Sequence, residues 1–310
     1  MVASRIRRSQ RGSESSRAGG GRRRHRPACG AGSAWYTARV FGRRTALPYI
    51  TSDGTNLFLD VAGAGTPVVF LHGLGLDHRQ WDPQWRDVAC IAQAVRLDLR
   101  AHGRSAAGAA GDSPATLARD LQRALVQVGV DRLNPGFVIA HAHAADAALQ
   151  AALAEPRALR GVVVVSPAVA GQTWSPEWQA LWRGMRADAQ GGRVGAALDR
   201  WRADAGFDAA RMLPQAWAAI EAMHAGCSAA RFEQETAGEP TTFSRLAGCR
   251  VPVLVVSGRR DRADFRQAAA AIAAALPHAE LHEMDAGHFP NLERPVEFTE
   301  RVRAFIAACP

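Results

Sequence analysis

Short apolar runs alternate with amphipathic stretches along most of the chain. Pro67 to Leu71, Ala94 to Leu99, Phe137 to Ile139, Leu159 to Val165 and Val251 to Val256 are apolar runs bounded by turn residues. Such runs read as strands buried on both faces. Tyr49 to Thr51, Asp53-Gly54 and Asn56 to Val61 read as strand, turn and strand, a hairpin. Glu280 to Glu283 is the last strand. Between the strands lie helical stretches. Trp81 to Ala92 is one. A second begins at Asp112 or Ser113 as cap with Pro114 just inside, and Leu117, Leu121, Leu125 and Val128 fall on one of its faces. Ala144 to Leu153, Arg262 to Leu276 and Pro295 to Ala308 complete the series. Strand and helix in alternation predict an α/β protein, a mostly parallel sheet covered by helices on both faces.

The alternation breaks in two places. Residues 171–245 contain no convincing strand and hold five of the eight tryptophans, Trp174, Trp178, Trp182, Trp201 and Trp217, within amphipathic stretches. They read as a helical insertion between two halves of an α/β core, 49–170 and 246–310. Residues 1–48 form an Arg-rich tail, and its first 33 residues have almost no large apolar side chain. Such a segment cannot bury enough surface to offset the entropy of ordering, so disorder is expected. Three readings of the tail stay open: a start assigned too far upstream, a transit-type peptide, or a basic arm for an acidic partner. The first is preferred, although no Met lies between Met1 and Met185, so a true start near Val40 would use another codon. Arg7-Arg8 has no apolar stretch behind it, which argues against export.

Charge changes the picture less than the total suggests. The net charge is +9, but residues 1–48 carry 12 Arg against Glu14 alone, which is +11, and leave the other 262 residues at −2. A near-neutral body without a basic stripe argues against nucleic acid as a partner of the core. No uninterrupted apolar stretch is long enough for a membrane span. Cys29, Cys90, Cys227, Cys249 and Cys309 are odd in number, far apart and without CxxC spacing. They read as reduced thiols of a cytoplasmic protein. No HExxH or comparable cluster implies a metal. Gly73-Leu74-Gly75 lacks the third glycine and the downstream acid of a dinucleotide site, so no cofactor is implied. The expected partner is a small-molecule substrate, and the oligomeric state is open.

The most informative stretch is Gly136 to Ala145. An apolar run enters, small residues cluster, and a helical stretch leaves. This is the strand, sharp turn and helix of a nucleophile elbow, with Ala140 and Ala144 as the flanking small residues. The central position, where chemistry calls for Ser, Cys or Asp, is Ala142. Ser105, Ser113, Ser166, Ser228, Cys90 and Cys227 all lack the strand, turn and helix context, and Pro167 behind Ser166 has no N–H to give an oxyanion. Further motifs follow a fixed order: His72-Gly73 after a buried strand, Asp98-x-Arg100-x-x-Gly103-x-Ser105 after the next, the elbow, Asp261, and Gly287-His288-Phe289-Pro290-Asn291-Leu292-Glu293-Arg294-Pro295. From about residue 49 to 310 the chain resembles the α/β-hydrolase superfamily, in the branch of enol-lactonases, C–C bond hydrolases and aminoacrylate hydrolases. Ala101 and Ala140 depart from it by standing where the family usually has Gly.

The resemblance implies an eight-stranded sheet with a helical cap at 171–245, and it assigns roles. His288 is the base, since an imidazole takes and returns protons near neutral pH. Asp261 would orient it, in the chain order elbow, acid, histidine. Asp264, a turn into the next helix, is the rival acid. Backbone amides of Leu74 and His143 would form the oxyanion hole, which a missing hydroxyl leaves intact. His72, Gly73, Trp174 and Trp178 are expected at the substrate pocket, with the His72 side chain a hydrogen-bonding brace and not a base. Asp98, Arg100 and Ser105 read as braces of their turn. The implied function is hydrolysis of a small ester, lactone or related carbonyl compound, with Ala142 in place of the usual serine through natural or experimental replacement. Two alternatives stand beside it: a binding or receptor-like protein on the same fold, and a lyase or cofactor-free oxygenase that uses the His288–Asp261 dyad alone.

Overall fold

Strand β1 (Tyr49–Ser52) turns through Asp53-Gly54 into β2 (Thr55–Gly63), an antiparallel hairpin whose turn residues both have positive φ, 48° and 76°. Only the left-handed region closes so tight a turn with the right strand twist. β2 runs antiparallel to β4 (Gln93–Leu97), and every later neighbour pair is parallel. β3 (Pro67–Leu71), β5 (Gly136–His141), β6 (Leu159–Val165), β7 (Val253–Gly258) and β8 (Ala279–Met284) complete an eight-stranded sheet of order β1-β2-β4-β3-β5-β6-β7-β8. The computed structural model describes residues 48–109, 113–226 and 241–309. The Arg-rich tail up to residue 47, Asp112, Cys227 and Ser228 lie outside them.

Why the sheet is covered on both sides follows from its sequence. Side chains of a strand alternate between faces, and here both faces are apolar. Val138 and Ala140 of β5, Val162 and Val164 of β6, and Val253 and Val255 of β7 enter one core with α2 (Pro114–Gln127), α3 (Ala144–Ala154) and α9 (Ala263–Ala275). Phe137 and Ile139, Val163 and Val165, and Leu254 and Val256 enter the other with α1 (Asp82–Ala89) and α11 (Pro295–Ala308). The α/β class and the mostly parallel, doubly covered sheet are therefore as the pattern predicts. Several boundaries differ. The stretch from Trp81 begins instead as a 3-10 turn (His78–Trp81), and α1 stops at Ala89. Ser113 caps α2 by accepting from Thr116 N–H.

Between β6 and β7 the described residues form helices and no strand. α4 (Pro176–Gln190), α5 (Val194–Arg202), α6 (Asp208–Arg211), α7 (Pro214–His224) and α8 (Thr242–Arg245) follow in order. Met185, Leu198, Trp201, Phe207, Ile220 and Met223 bury a third core together with Leu76 and Phe289 from loops of the sheet and Leu292 from the short helix α10 (Pro290–Glu293). Leu76 follows β3 and Phe289 follows β8, so the helical segment sits over the C-terminal ends of the strands. That edge is where open α/β sheets place their ligands.

Cys249 and Cys309 are free thiols. Cys90 is disulfide-bonded. The expectation of reduced thiols throughout does not hold at Cys90. Among the described residues no helix is long and apolar enough to cross a membrane.

The turn after β4 carries the buried charge. Arg100 donates to both Asp120 oxygens, at 2.7 and 2.6 Å, and both side chains are completely buried. This pair ties the β4 turn to α2. Removing one partner of such a pair strands a charge and costs about 3–5 kcal/mol, whereas replacing both by apolar groups is often neutral. Asp120→Ala is therefore expected to lower unfolding stability by about that amount, and Arg100→Met with Asp120→Leu by clearly less, as urea melts would show.

Candidate active site

β5 ends at His141 and α3 begins at Ala144, so the chain must turn within two residues. It does so with Ala142 at φ 51°, left-handed backbone that L residues avoid. Such a conformation costs about 1–2 kcal/mol for a residue with a Cβ. The turn is locked from both sides: Ala142 N–H donates to Val165 O at 2.9 Å, and its carbonyl accepts from Ala145 and Ala168 N–H, both at 3.1 Å. Ala140 and Ala144 are fully buried against it. On the other side, a Cβ added to Gly73 would lie 2.2 Å from His141 Nδ1, so only glycine fits the β3 loop there.

That loop is pinned residue by residue. Gly73 N–H donates to Gln80 Oε1 at 2.9 Å, Gly75 N–H to His102 Nε2 at 3.2 Å, and Leu76 N–H to Gly73 O at 3.2 Å. Among the described residues, the Leu74 amide between them has no acceptor. Nor has the His143 amide, one residue past Ala142. Leu74, Ala142 and His143 line one cavity of about 550 Å³.

His288 lines the same cavity. Its Nδ1 lies 3.0 and 3.2 Å from the two Asp261 oxygens, with both side chains buried. A carboxylate only accepts, so Nδ1 donates to Asp261, and in the neutral ring the bare nitrogen is Nε2. The loop holding His288 is fixed from several directions. Glu293 accepts from Gly287 N–H at 2.6 Å and from Phe289 N–H at 3.1 Å, one amide on each side of the histidine. Burial pushes the Glu293 carboxyl up while those amides pull it down. His141 donates from Nε2 to the His288 carbonyl at 2.8 Å, and His288 N–H reaches Gly206 O at 3.3 Å. Asp264, the rival acid, is occupied elsewhere: it accepts from Ser175 N–H, Ser175 Oγ and Arg262 Nε.

Trp174 and Trp178 line the cavity with Trp182, Trp201, Phe265 and Phe289. Trp174, Trp178 and Phe265 pack with ring centroids 5.0–5.5 Å apart, and Phe265 lies 4.4 Å from the His288 ring. Two expected pocket residues do not line it. His72 is fully buried, donating from Nδ1 to Gly73 O and accepting Leu99 N–H at Nε2, both at 2.9 Å. Gly73 is covered by the His141 ring. Both sit behind the loop whose Leu74 faces the cavity. Ser166, at φ 44°, is fully buried and is not among the cavity-lining residues.

The bracing group behaves as its motif suggests. Asp98 accepts from His78 N–H, His78 Nδ1 and Arg104 N–H, while Ser105 Oγ donates to Asp98 O. Among the described residues only Asp77, His78 and Asp98 bring three metal-ligating side chains together. Their carboxylates are already spent on Arg79, His78 and Arg104, so this donor set does not suit a metal.

Residues 68–301 match the profile of the alpha/beta hydrolase family. The chain belongs to that family. Over 120 residues it is 30% identical to a protein named as a carbamate hydrolase of Azorhizobium caulinodans, a match covering 39% of this chain and 44% of that one. The chain thus spans under half the length of that relative. Among solved structures, an enol-lactonase from Burkholderia xenovorans LB400 superposes with a TM-score of 0.73 at 23% identity, over 84% of this chain and all of that one. Est816, described as an N-acyl homoserine lactone degrading enzyme, gives 0.69 at 26% identity, over 83% and 100%.

Within this hydrolase-family site, several residues escaped sequence reasoning. Asp146 lines the cavity and accepts from Ala170 N–H at 2.6 Å and from Thr242 Oγ1. His224 of α7 packs where a Gly75 Cβ would be, 3.1 Å away, so it backs the Leu74 loop. Nothing local in sequence joins positions 75 and 224.

Burial makes three histidines neutral. The His143 imidazole is pushed down to about 3 by burial and then by His72, and His224 to about 4 by burial and then by Arg202. His141 is pushed well below the usual range by burial and then by His288. In the unfolded chain each would take a proton near pH 6.5, so the unfolded state binds more protons below that pH. Their stabilising effect is complete above about pH 6.5 and is lost as pH falls toward 4 and then 3, at up to about 1.4 kcal/mol per pH unit for each group. His224→Leu should flatten the slope of urea stability between about pH 6.5 and 5 by about one such group. Comparing variant with parent cancels the opposite trend from Glu293, and parallel slopes would contradict the assignment.

Proposed function

We propose that this protein hydrolyses a small ester, lactone or related carbonyl compound without a covalent intermediate, with His288 and Asp261 activating water. One observation carries the reading. Buried His288, bonded through Nδ1 to Asp261, lines the cavity in which Ala142 holds an elbow backbone and carries no nucleophile. The relatives named for carbamate, enol-lactone and acyl-lactone substrates support the substrate class. In this reading the helices of 171–245 act as the cap over the site.

His288 Nε2 takes a proton from water while the water oxygen bonds to the substrate carbonyl carbon. The π electrons move onto the carbonyl oxygen, where the amides of Leu74 and His143 hold the negative charge. Such donors are each worth about 3–4 kcal/mol at the transition state. Collapse restores the carbonyl and breaks the bond to the leaving oxygen, which takes the proton from Nε2. Asp261 keeps the Nδ1 proton in place and stabilises the imidazolium formed in between. The sum is substrate plus water giving acid plus alcohol. The smaller Ala142 side chain leaves the elbow without the hydroxyl that would otherwise attack.

The parent protein should turn over short aryl esters or lactones with no acyl adduct in its intact mass. His288→Ala should cut kcat by about 10²–10⁴-fold, the span that general base catalysis supplies. Ala142→Ser should yield an acyl adduct on residue 142 and a kinetic burst. Activity undiminished in His288→Ala, or no turnover by the parent with any carbonyl substrate, would sink the proposal.

A further inference from the structure

Among the described residues two arginines line the cavity, and both stand on a single helix face. Trp178, Gln179, Trp182, Arg183 and Arg186 of α4 all line it. Their spacing is that of one face, with residues four apart stacked above one another. Trp178, Trp182 and Arg186 form one row, and Gln179 and Arg183 form the row beside it; Arg186 has a partner of its own. The same surface therefore offers flat aromatic area and a guanidinium to whatever occupies the site.

Arg183 differs from its neighbours in the insertion. Arg193 and Arg200 both hold Asp188, Arg202 holds Asp199, and Arg211 holds Asp208. Arg262, against the same aromatic wall, holds Asp204 and Asp264. Among the described residues Arg183 has no hydrogen bond and no ion pair. Among the described residues the sole acid lining the cavity is Asp146, and that side chain already accepts from Ala170 N–H, Gln150 Nε2 and Thr242 Oγ1. A guanidinium is a rigid fork that matches a carboxylate with two parallel hydrogen bonds.

We infer that the substrate carries a carboxylate, which Arg183 binds at the cap side while its carbonyl lies over Ala142. This rests on the hydrolytic reading above and narrows it to an anionic ester or lactone. The aromatic wall of Trp174, Trp178 and Phe265 takes the apolar body between the two ends. A cavity of about 550 Å³ is of the size that holds a small organic acid of this kind.

Two near-isosteric substrates test it: 4-nitrophenyl hydrogen succinate, which is anionic, and 4-nitrophenyl butanoate, which is neutral. The parent protein should prefer the anion in kcat/KM, and Arg183→Ala should lower the ratio of anion to neutral by about tenfold or more, with Arg183→Lys between the two. Raising salt from about 50 to 500 mM should shrink the ratio as well, because the guanidinium is exposed. An equal or inverse preference in the parent, or an unchanged ratio in Arg183→Ala, overturns the inference. Calorimetric titration with 3-phenylpropionate and 3-phenylpropanamide gives a readout without turnover. The carboxylate should bind at least about tenfold more tightly, an advantage that Arg183→Ala removes. Equal binding overturns the anion site. If the parent hydrolyses neither ester while the carboxylate binds selectively, the hydrolytic reading falls and the anion site stands.

Discussion

The left-handed backbone at Ala142 is the constraint on which the site depends. A parallel strand must end and a helix must begin within two residues, directly under the loop from β3. That geometry forces Ala142 to φ 51° and keeps its neighbours small. It also spends the Ala142 amide on Val165 O and leaves the next amide, that of His143, without an acceptor among the described residues. The left-handed turn thus creates the unpaired donor. The Leu74 amide arises in the same way, because Gln80 and His102 take the amides on either side. Neither donor depends on the side chain at position 142.

The histidine side of the cavity is held with comparable rigidity by different means. Glu293 clasps the amides on both sides of His288, and His141 donates to its carbonyl. The His288 ring is then set by Asp261 and by the packing of Phe265, His141, Phe289 and Trp201. This rigidity requires buried imidazoles. His141, His143 and His224 are all driven to the neutral form by burial, so the site tolerates acid poorly. Neutral imidazoles cost no charge desolvation near neutral pH, and His141 uses its ring to hold the His288 carbonyl, while the His143 and His224 ring nitrogens have no hydrogen-bond partner among the described residues.

Much of this was legible in the chain itself. The doubly apolar strands gave away the sheet because period-two alternation and burial on both faces leave few other solutions. Asp261 and His288 could be named because each closes a strand, and strand ends of a parallel sheet converge on one edge. What stayed hidden was side-chain direction inside loops. His72 stands next to Gly73 and two residues before Leu74, yet its ring turns away to serve Leu99. The roles of Asp146 and His224 depend on contacts across 96 and 149 positions, to Thr242 and Gly75. No local pattern encodes such distances. The 3-10 turn at His78–Trp81 was missed for a related reason, since Asp77 and Asp98 shape it from outside the helix-like run.

The survival of the dyad beside an empty elbow is itself informative. Asp261 and His288 are buried, and a buried acid and base hold their places only while they satisfy each other. That mutual satisfaction would persist in a protein that had lost its chemistry, so the hydrogen bond alone does not argue for turnover. The amides argue more strongly. Among the described residues the Leu74 and His143 amides have no protein acceptor, and both belong to residues that line the cavity, so they add nothing to the hydrogen bonding of the fold itself. In the proposed reaction they meet the carbonyl oxygen as it becomes negative, while His288, on the same cavity wall, controls the water that attacks.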